Sequence, residues 1–199
     1  MDATDWDARY AERELVWSAT PNATVAEEVA DLPPGRALDL ACGEGRNAIW
    51  LAERGWSVEA LDFSEVALDK ARALAEDRGA KVAWRRSDLT AESGFEPADL
   101  VLLAFLQLPR EQARAVHRRT AAAVKPGGTL LLVAHARRNL TDGWGGPKES
   151  DVLHDIDEVV DDLAGTGLTV ERAEEIDREV ETEEGPRTAI DVVVRAVRP

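Results

Sequence analysis

The sequence holds one cysteine, Cys42, in 199 residues, so no disulfide can form within the chain. It also lacks long apolar runs. The longest, such as Leu100 to Leu106, fall far short of the roughly 20 residues that a membrane helix needs. The first residues, Met1-Asp2-Ala3-Thr4-Asp5, are acidic and do not have the basic-then-apolar build of a signal peptide. These absences point to the cytoplasm and away from a membrane partner. Basic residues are scarce as well: 24 Lys and Arg stand against 39 Asp and Glu, for a net charge of −15. No basic run exceeds two residues, as in Arg85-Arg86, Arg118-Arg119 and Arg137-Arg138. Affinity for nucleic acid is built largely from Lys and Arg contacts to phosphate, so no nucleic-acid partner is expected. The acidity itself reads as solubility. There is no internal repeat, low-complexity segment or linker, and no metal site is expected.

With 44% apolar and 32% charged residues, the composition suits one soluble globular domain over residues 1–199. Within it, residues 1–34 read as a helical lid or cap, 35–135 as the core, and 136–199 as a loop, a helix and a hairpin. The core opens on Ala37-Leu38-Asp39-Leu40-Ala41, an alternating apolar run of the kind that makes a buried strand. Gly43 and Gly45 break it, and an apolar, helix-compatible segment follows from Asn47 to Glu53. Strand, glycine turn and helix make half of a nucleotide-binding unit. Glycine allows the sharp turn, and a side chain at Gly43 or Gly45 is expected to keep a ligand off the backbone. Ser57 to Leu61 reads as the next strand and ends in Asp62, nineteen positions after Gly43. An acid there accepts hydrogen bonds from both hydroxyls of a ribose, so the ligand is of adenosine type.

The rest alternates helix and strand. Residues 4–17 read as an N-terminal helix or helix-turn whose Trp6 and Tyr10 share a face, with Trp17 beyond. Asn22 caps a helix over Ala23 to Leu32, and Ser64 one over Glu65 to Arg78. Lys81 to Arg85 and Ala98 to Phe105 are strands three and four, and the latter is apolar enough to be central. A helix over Pro109 to Val124 ends at Lys125-Pro126-Gly127-Gly128, and Thr129 to Ala134 is strand five. Arg137 to Ser150 is the longest irregular stretch, and a short helix over Asp157 to Ala164 follows it. Leu168 to Ile176 and Thr188 to Val197 flank an acidic turn and leave no room for a helix between them, so they form an antiparallel hairpin.

Gly43-x-Gly45-x-x-Ala48 matches a dinucleotide pattern in form. That pattern alone does not explain Asp39, an acid inside an apolar strand, which costs energy unless a charged or hydrogen-bonding group meets it. Strand and loop together resemble motif I, Asp-x-x-x-Gly-x-Gly, of class I S-adenosylmethionine (SAM)-dependent methyltransferases. More narrowly, Trp6-Asp7-x-x-Tyr10, Pro21-Asn22 and the run Leu38 to Asn47 are similar to small bacterial methyltransferases of the tellurite-resistance and thiopurine-methyltransferase-like sort. The resemblance implies an α/β fold, a Rossmann-like three-layer sandwich with a seven-stranded, mostly parallel sheet and an antiparallel C-terminal hairpin. It implies SAM as cofactor and S-adenosylhomocysteine (SAH) as product. Asp39 would lie at the cofactor's amino acid end, or serve as a turn-stabilising acid bonded to loop amides. Asp88 would meet the adenine amino group with Leu89 against the ring. Ala41, Gly43, Gly45, Asn47, Asp62, Phe63, Ala104 and Phe105 complete the expected cofactor set. Such relatives often carry Glu-Gly-x-x-His-x-Gly before the last strand. Here that place reads Glu184-Gly185-Pro186-Arg187-Thr188-Ala189, without the His, which weakens a transfer of metalloid chemistry.

The expected acceptor is a small molecule. Trp6, Tyr10 and Trp17 would close over it as a lid, and Trp144, in the long loop, would form a second wall. His135 follows strand five and is the general-base candidate by position and by the pH range of its titration, or else shapes the pocket. His117 and His154 read as surface or packing residues. Two rival readings stay open: a nicotinamide-dependent oxidoreductase, against which the hairpin and the chain length speak, and a non-catalytic SAM-binding protein.

Overall fold

The computed structural model describes residues 3–182 and 184–199; readings that rest on Met1-Asp2, or on Glu183 of the acidic turn, lie outside the described residues. Seven strands form one sheet: β1 Arg36–Leu40, β2 Ser57–Asp62, β3 Val82–Arg86, β4 Ala98–Ala104, β5 Val124–His135, β6 Thr169–Val180 and β7 Arg187–Val197. The helices are α1 Ala3–Ala11, α2 Ala23–Val29, α3 Arg46–Glu53, α4 Glu65–Asp77, α5 Arg110–Ala122, α6 Asn139–Asp142 and α7 Ile156–Leu163. The strand order is β3-β2-β1-β4-β5-β7-β6. The first five strands run parallel, and β7 runs antiparallel between β5 and β6. This is the Rossmann-like, mostly parallel sheet with an antiparallel hairpin that the strand pattern predicts.

The β4 strand shows why the sheet has helices on both faces. Its side chains alternate between two cores and are apolar on both sides, as a central parallel strand requires. Val101 and Leu103 join Val116, Val159 and Leu163 on the α5 and α7 face. Leu100 and Leu102 join Val25, Val29, Leu51 and Leu68 on the α2, α3 and α4 face. The polar ends of the strands are thereby left at one rim, where ligands of open α/β sheets bind.

The structure sharpens or departs from the sequence reading most at three places. The N-terminal segment is a helix to Ala11 followed by turns, the second form of the helix-or-helix-turn reading, and the Glu44 carboxylate takes the Val16 and Trp17 amides, 3.0 Å away, within those turns. Strand five starts at Val124, so Lys125-Pro126-Gly127-Gly128 is an irregularity within it rather than a turn before it; the Gly127 N–H is donated to the Arg198 carbonyl. The 137–150 stretch contains the short α6, whose buried Asn139 side chain accepts from the Ile190 N–H and donates to the Gly145 carbonyl. Among the described residues no helix is long and apolar enough to cross a membrane.

Two histidines sit behind the site. His117 of α5 shares Asp162 of α7 with Arg110, joining the two helices through one buried carboxylate. The His154 ring lies 5.5 Å from that of His117, and its Nε2 meets the Leu106 carbonyl at 3.3 Å. Burial, reinforced by His117, lowers the His154 pKa from 6.5 to about 4. The unfolded chain therefore takes up a proton near pH 6.5 that the folded chain refuses until about pH 4. This group leaves stability untouched above pH 6.5; as pH falls through that window it removes about 3 kcal/mol, and below it the loss levels off. His154→Gln keeps an N–H for Leu106 and should lessen the fall in stability between pH 7 and pH 5, measured by urea unfolding of both proteins. An identical fall in the variant would remove His154 as its source.

Candidate active site

Strands β1 and β4 are each followed at once by a residue with left-handed backbone that is not glycine: Ala41 with φ 60° and Phe105 with φ 61°. Such strained positions collect at functional sites. Between them lies the glycine loop. Asp62, at the end of β2, accepts the Gly43 N–H at 2.8 Å on one oxygen and the Ser64 N–H at 2.9 Å on the other. Burial raises its pKa, and those amides offset only part of the rise. The acid read from sequence as a ribose ligand is thus also the clasp of the loop.

The two glycines have different jobs. A Cβ on Gly43 would meet the Tyr10 hydroxyl at 2.8 Å, so this glycine faces the cavity and its roof. A Cβ on Gly45, at φ 76°, would meet the Trp84 ring at 2.5 Å and the Ala71 Cβ at 3.0 Å. Gly45 therefore does not clear space for a ligand, as the sequence reading had it. It lets α3 start close against α4 and β3.

Two cavities open beyond the strand ends and share Trp6, Tyr10, Ala41 and Phe105. The larger, about 1110 Å³, is lined by Asp62, Phe63, Asp88 and Gln107, with Glu149, Asp151 and Val152 at its rim. The smaller, about 130 Å³, is lined by the loop from Ala41 to Asn47 except Gly45, together with Trp17, Asn22, Ala104, His135 and Arg178. The N-terminal segment covers both and is pinned at several points. Asp7 accepts the Ser64 hydroxyl, and Lys70 donates to the Tyr10 and Arg13 carbonyls and to Glu44. Trp6 and Tyr10 are buried with ring centroids 5.6 Å apart, and burial with Asp62 nearby drives the Tyr10 pKa up.

Asp191, behind the smaller cavity, ties two of its lining side chains together. His135 Nδ1 lies 3.1 Å from Asp191 Oδ1, on β7, and the Phe105 and His135 rings are 4.8 Å apart. Asp191 is fully buried and also accepts from Arg178 of β6. Burial alone would raise its pKa; the His135 and Arg178 hydrogen bonds more than reverse this and hold it below the usual range. Arg46 leaves the first turn of α3 and lies over Trp17 at 6.0 Å and Phe105 at 5.9 Å. The roles of Arg46, Glu44, Arg178 and Asp191 were not read from sequence. Arg46 and Glu44 lay inside the quoted motif. Asp191 carried the same signal as Asp39, an acid within an apolar run, Ile190 to Val194.

The remaining predicted residues separate into two groups. Asp88 lines the larger cavity, with Oδ1 accepting from the Thr90 amide and hydroxyl. Asn47 lines the smaller one and accepts the Asn22 N–H at 2.9 Å. Leu89 instead points into the core, and Trp144 stands away from both cavities, 45% exposed beneath the Arg187 guanidinium. The reason is the loop's own pairing: the Trp144 amide is donated to Thr188 of the hairpin, which carries the ring outward. Gly146 rather than Trp144 lies against the His135 ring. Asp39 lies behind the cavity wall, 1% exposed, with neither oxygen in a full hydrogen bond. Burial lifts its pKa to about 7, against the pull of the Ala48 amide.

Residues 37–128 match the family model described as a methyltransferase domain. Over these residues, which run from β1 into β5, the chain is similar to methyltransferase domains. It is 26% identical over 132 residues to the probable SAM-dependent methyltransferase TehB of Haemophilus influenzae, covering 63% of this chain and 46% of that one. It is 36% identical over 111 residues to a ubiquinone biosynthesis O-methyltransferase of Alkalilimnicola ehrlichii, covering 54% of this chain and 44% of that one. The chain spans less than half the length of either relative. Among solved structures, magnesium protoporphyrin IX methyltransferase from Synechocystis with bound SAH shares the fold: TM-score 0.69, 23% identity, 89% of this chain and 80% of that one.

The residues present fit SAM, the cofactor in the name of the TehB relative. Asp39, behind the wall and without a hydrogen-bond partner, would favour the cofactor's ammonium end by its field rather than by contact, the Gly43 backbone faces the smaller cavity without a side chain, and Asp62, Phe63 and Asp88 suit the adenosine. Asp39 should link cofactor binding to pH. With a pKa of about 7 it is half protonated at neutrality, and a cation favours its charged form. SAH affinity should therefore rise from pH 6 to pH 8, with proton release seen by calorimetry in buffers of different ionisation enthalpy. Asp39→Asn should flatten that dependence and weaken binding by up to about 10-fold, less than a direct hydrogen bond to a charged group is worth. A pH dependence surviving in the variant would place the proton elsewhere.

The glycines predict a second contrast. Gly45→Ala meets a ring and a left-handed backbone together and should cost about 2 kcal/mol or more in urea unfolding. Gly43→Ala shares the left-handed strain, at φ 53°, but meets the end of one side chain rather than a packed ring, so it should cost less and also displace Tyr10, read as increased proteolysis of the N-terminal segment. Equal losses would contradict the division of roles.

Proposed function

We propose that the domain transfers a methyl group to a small molecule held in the smaller cavity, with His135 as its base. The observation that carries this reading is the cavity itself: about 130 Å³, roofed by Trp6, Tyr10 and Trp17, and joined at Ala41 and Phe105 to the larger cavity. A space of that size beneath a pinned aromatic segment suits a compact acceptor better than a nucleic-acid strand or a protein surface. The net charge of −15 supports the same choice against nucleic acid.

Bound SAM supplies an activated methyl group, whose carbon bonds to the acceptor while the C–S electron pair stays on sulfur as a neutral thioether. The chain's task is then positioning and exclusion of water. The lid residues cover the cavity, and the buried carboxylate of Asp191 holds His135 by Nδ1, which makes Nδ1 the proton-bearing nitrogen and leaves the Nε2 lone pair to accept a proton. Asp191 acts through His135 and is a positioning residue.

Incubation with SAM carrying an isotopically labelled methyl group, offered a small-molecule extract, ribosomal RNA and total protein separately, should label the small-molecule fraction. Label in RNA or protein alone would overturn the reading. With the labelled acceptor in hand, His135→Gln should lower kcat about 10²- to 10⁴-fold, the span of general-base catalysis. An unchanged kcat would reduce His135 to a wall of the pocket.

A further inference from the structure

Two guanidiniums converge on the smaller cavity. Arg46 enters from α3 and Arg178 from β6, and both lie over the Phe105 ring, at 5.9 and 5.4 Å. Arg178 is balanced, since its Nε and one terminal nitrogen donate to Asp191. Arg46 is not: among the described residues it makes no hydrogen bond and no ion pair, only the two ring contacts.

The acids around it are committed elsewhere. Glu44 is taken by the Val16 and Trp17 amides and by Lys70. Asp62 is taken by the Gly43 and Ser64 amides, and Asp191 by Arg178 and His135. Asp39 is the remaining carboxylate; it lies behind the wall, makes no hydrogen bond or ion pair with Arg46, and acts on it only at a distance. Burial and the proximity of Arg178 pull the Arg46 pKa down, as befits a cation short of a counter-ion. A largely buried guanidinium beside a second one is costly until an anion meets it.

Building on the methyl-transfer reading, we infer that Arg46 and Arg178 form a subsite for an organic anion, the carboxylate or an equivalent oxyanion of the methyl acceptor. The guanidinium fork suits two oxygens on one centre, and Phe105 with His135 offers flat faces for the body of such a molecule. The local pair also explains how an anion enters a chain whose net charge of −15 repels it: close cations act within a Debye length, where the distant acids are screened. The cofactor's own carboxylate has the same chemistry, and the two sources differ in which ligand loses affinity when the cation is removed.

Trp6 and Trp17 report on the cavity, so tryptophan fluorescence reads the test. The SAH-loaded protein is titrated with aromatic and aliphatic monocarboxylates and their primary amides, benzoate against benzamide first. Carboxylates should bind at least tenfold more tightly than their amides. Arg46→Gln should remove most of that preference and leave amide affinity in place; Arg178→Gln should do the same, but it also unpairs buried Asp191, so Arg46→Gln decides. Equal binding of acids and amides, or a preference that survives Arg46→Gln, overturns the inference. So does a variant that loses SAH affinity, keeps that for 5′-methylthioadenosine and keeps the acid preference, because the anion is then the cofactor's own. Failure of the wild-type protein to bind SAH at all would overturn the cofactor reading on which the inference rests.

Discussion

The site hangs on one carboxylate. Asp62 closes the end of β2, holds the glycine loop through the Gly43 amide, and fixes the start of α4 through Ser64. Ser64 in turn caps α4 and donates to Asp7, so the same junction secures the N-terminal segment. Loop, second strand, following helix and roof therefore share a single buried hub. This explains why the loop holds its shape with so little side chain of its own. It also explains how a segment that precedes the core in sequence becomes part of the cleft.

Much of this was legible before any coordinates. The alternating run into Gly43 and Gly45, the acid at the end of the second strand and the helix-free gap before the last strand fix the sheet and its ligand rim, because each is a local signal tied to backbone geometry. The hairpin was read from the lack of a helix, and β6 and β7 pair as that lack requires. What escaped was tertiary. Nothing local in Gly45 tells that Trp84 will lie over it, and nothing in Trp144 tells that its amide will pair with Thr188 and turn the ring to solvent. Arg46 stood inside the motif, but its counter-ions, or their lack, depend on where Glu44 and Asp191 go.

Buried acids in this chain fall into two kinds, and the sequence marks both in the same way. Asp162 and Asp191 are saturated by arginine and histidine from neighbouring elements and stay ionised. Asp39 has no such neighbour and is carried near neutrality. An acid in an apolar strand is thus a sign of an unusual environment, and only the partners decide whether it serves as glue or as an unfilled valence at the ligand's edge.

The position of β7 has a consequence for how the protein is made. It follows every other strand in sequence, yet it lies between β5 and β6. Until it inserts, β5 presents an apolar open edge, β6 has no partner, and Asp191 is absent from beside His135 and Arg178. The cofactor-binding half can be assembled from the earlier strands while the acceptor half waits for the last one. A chain still without β7 has an exposed, adhesive border at β5, the edge that a chaperone has most to shield.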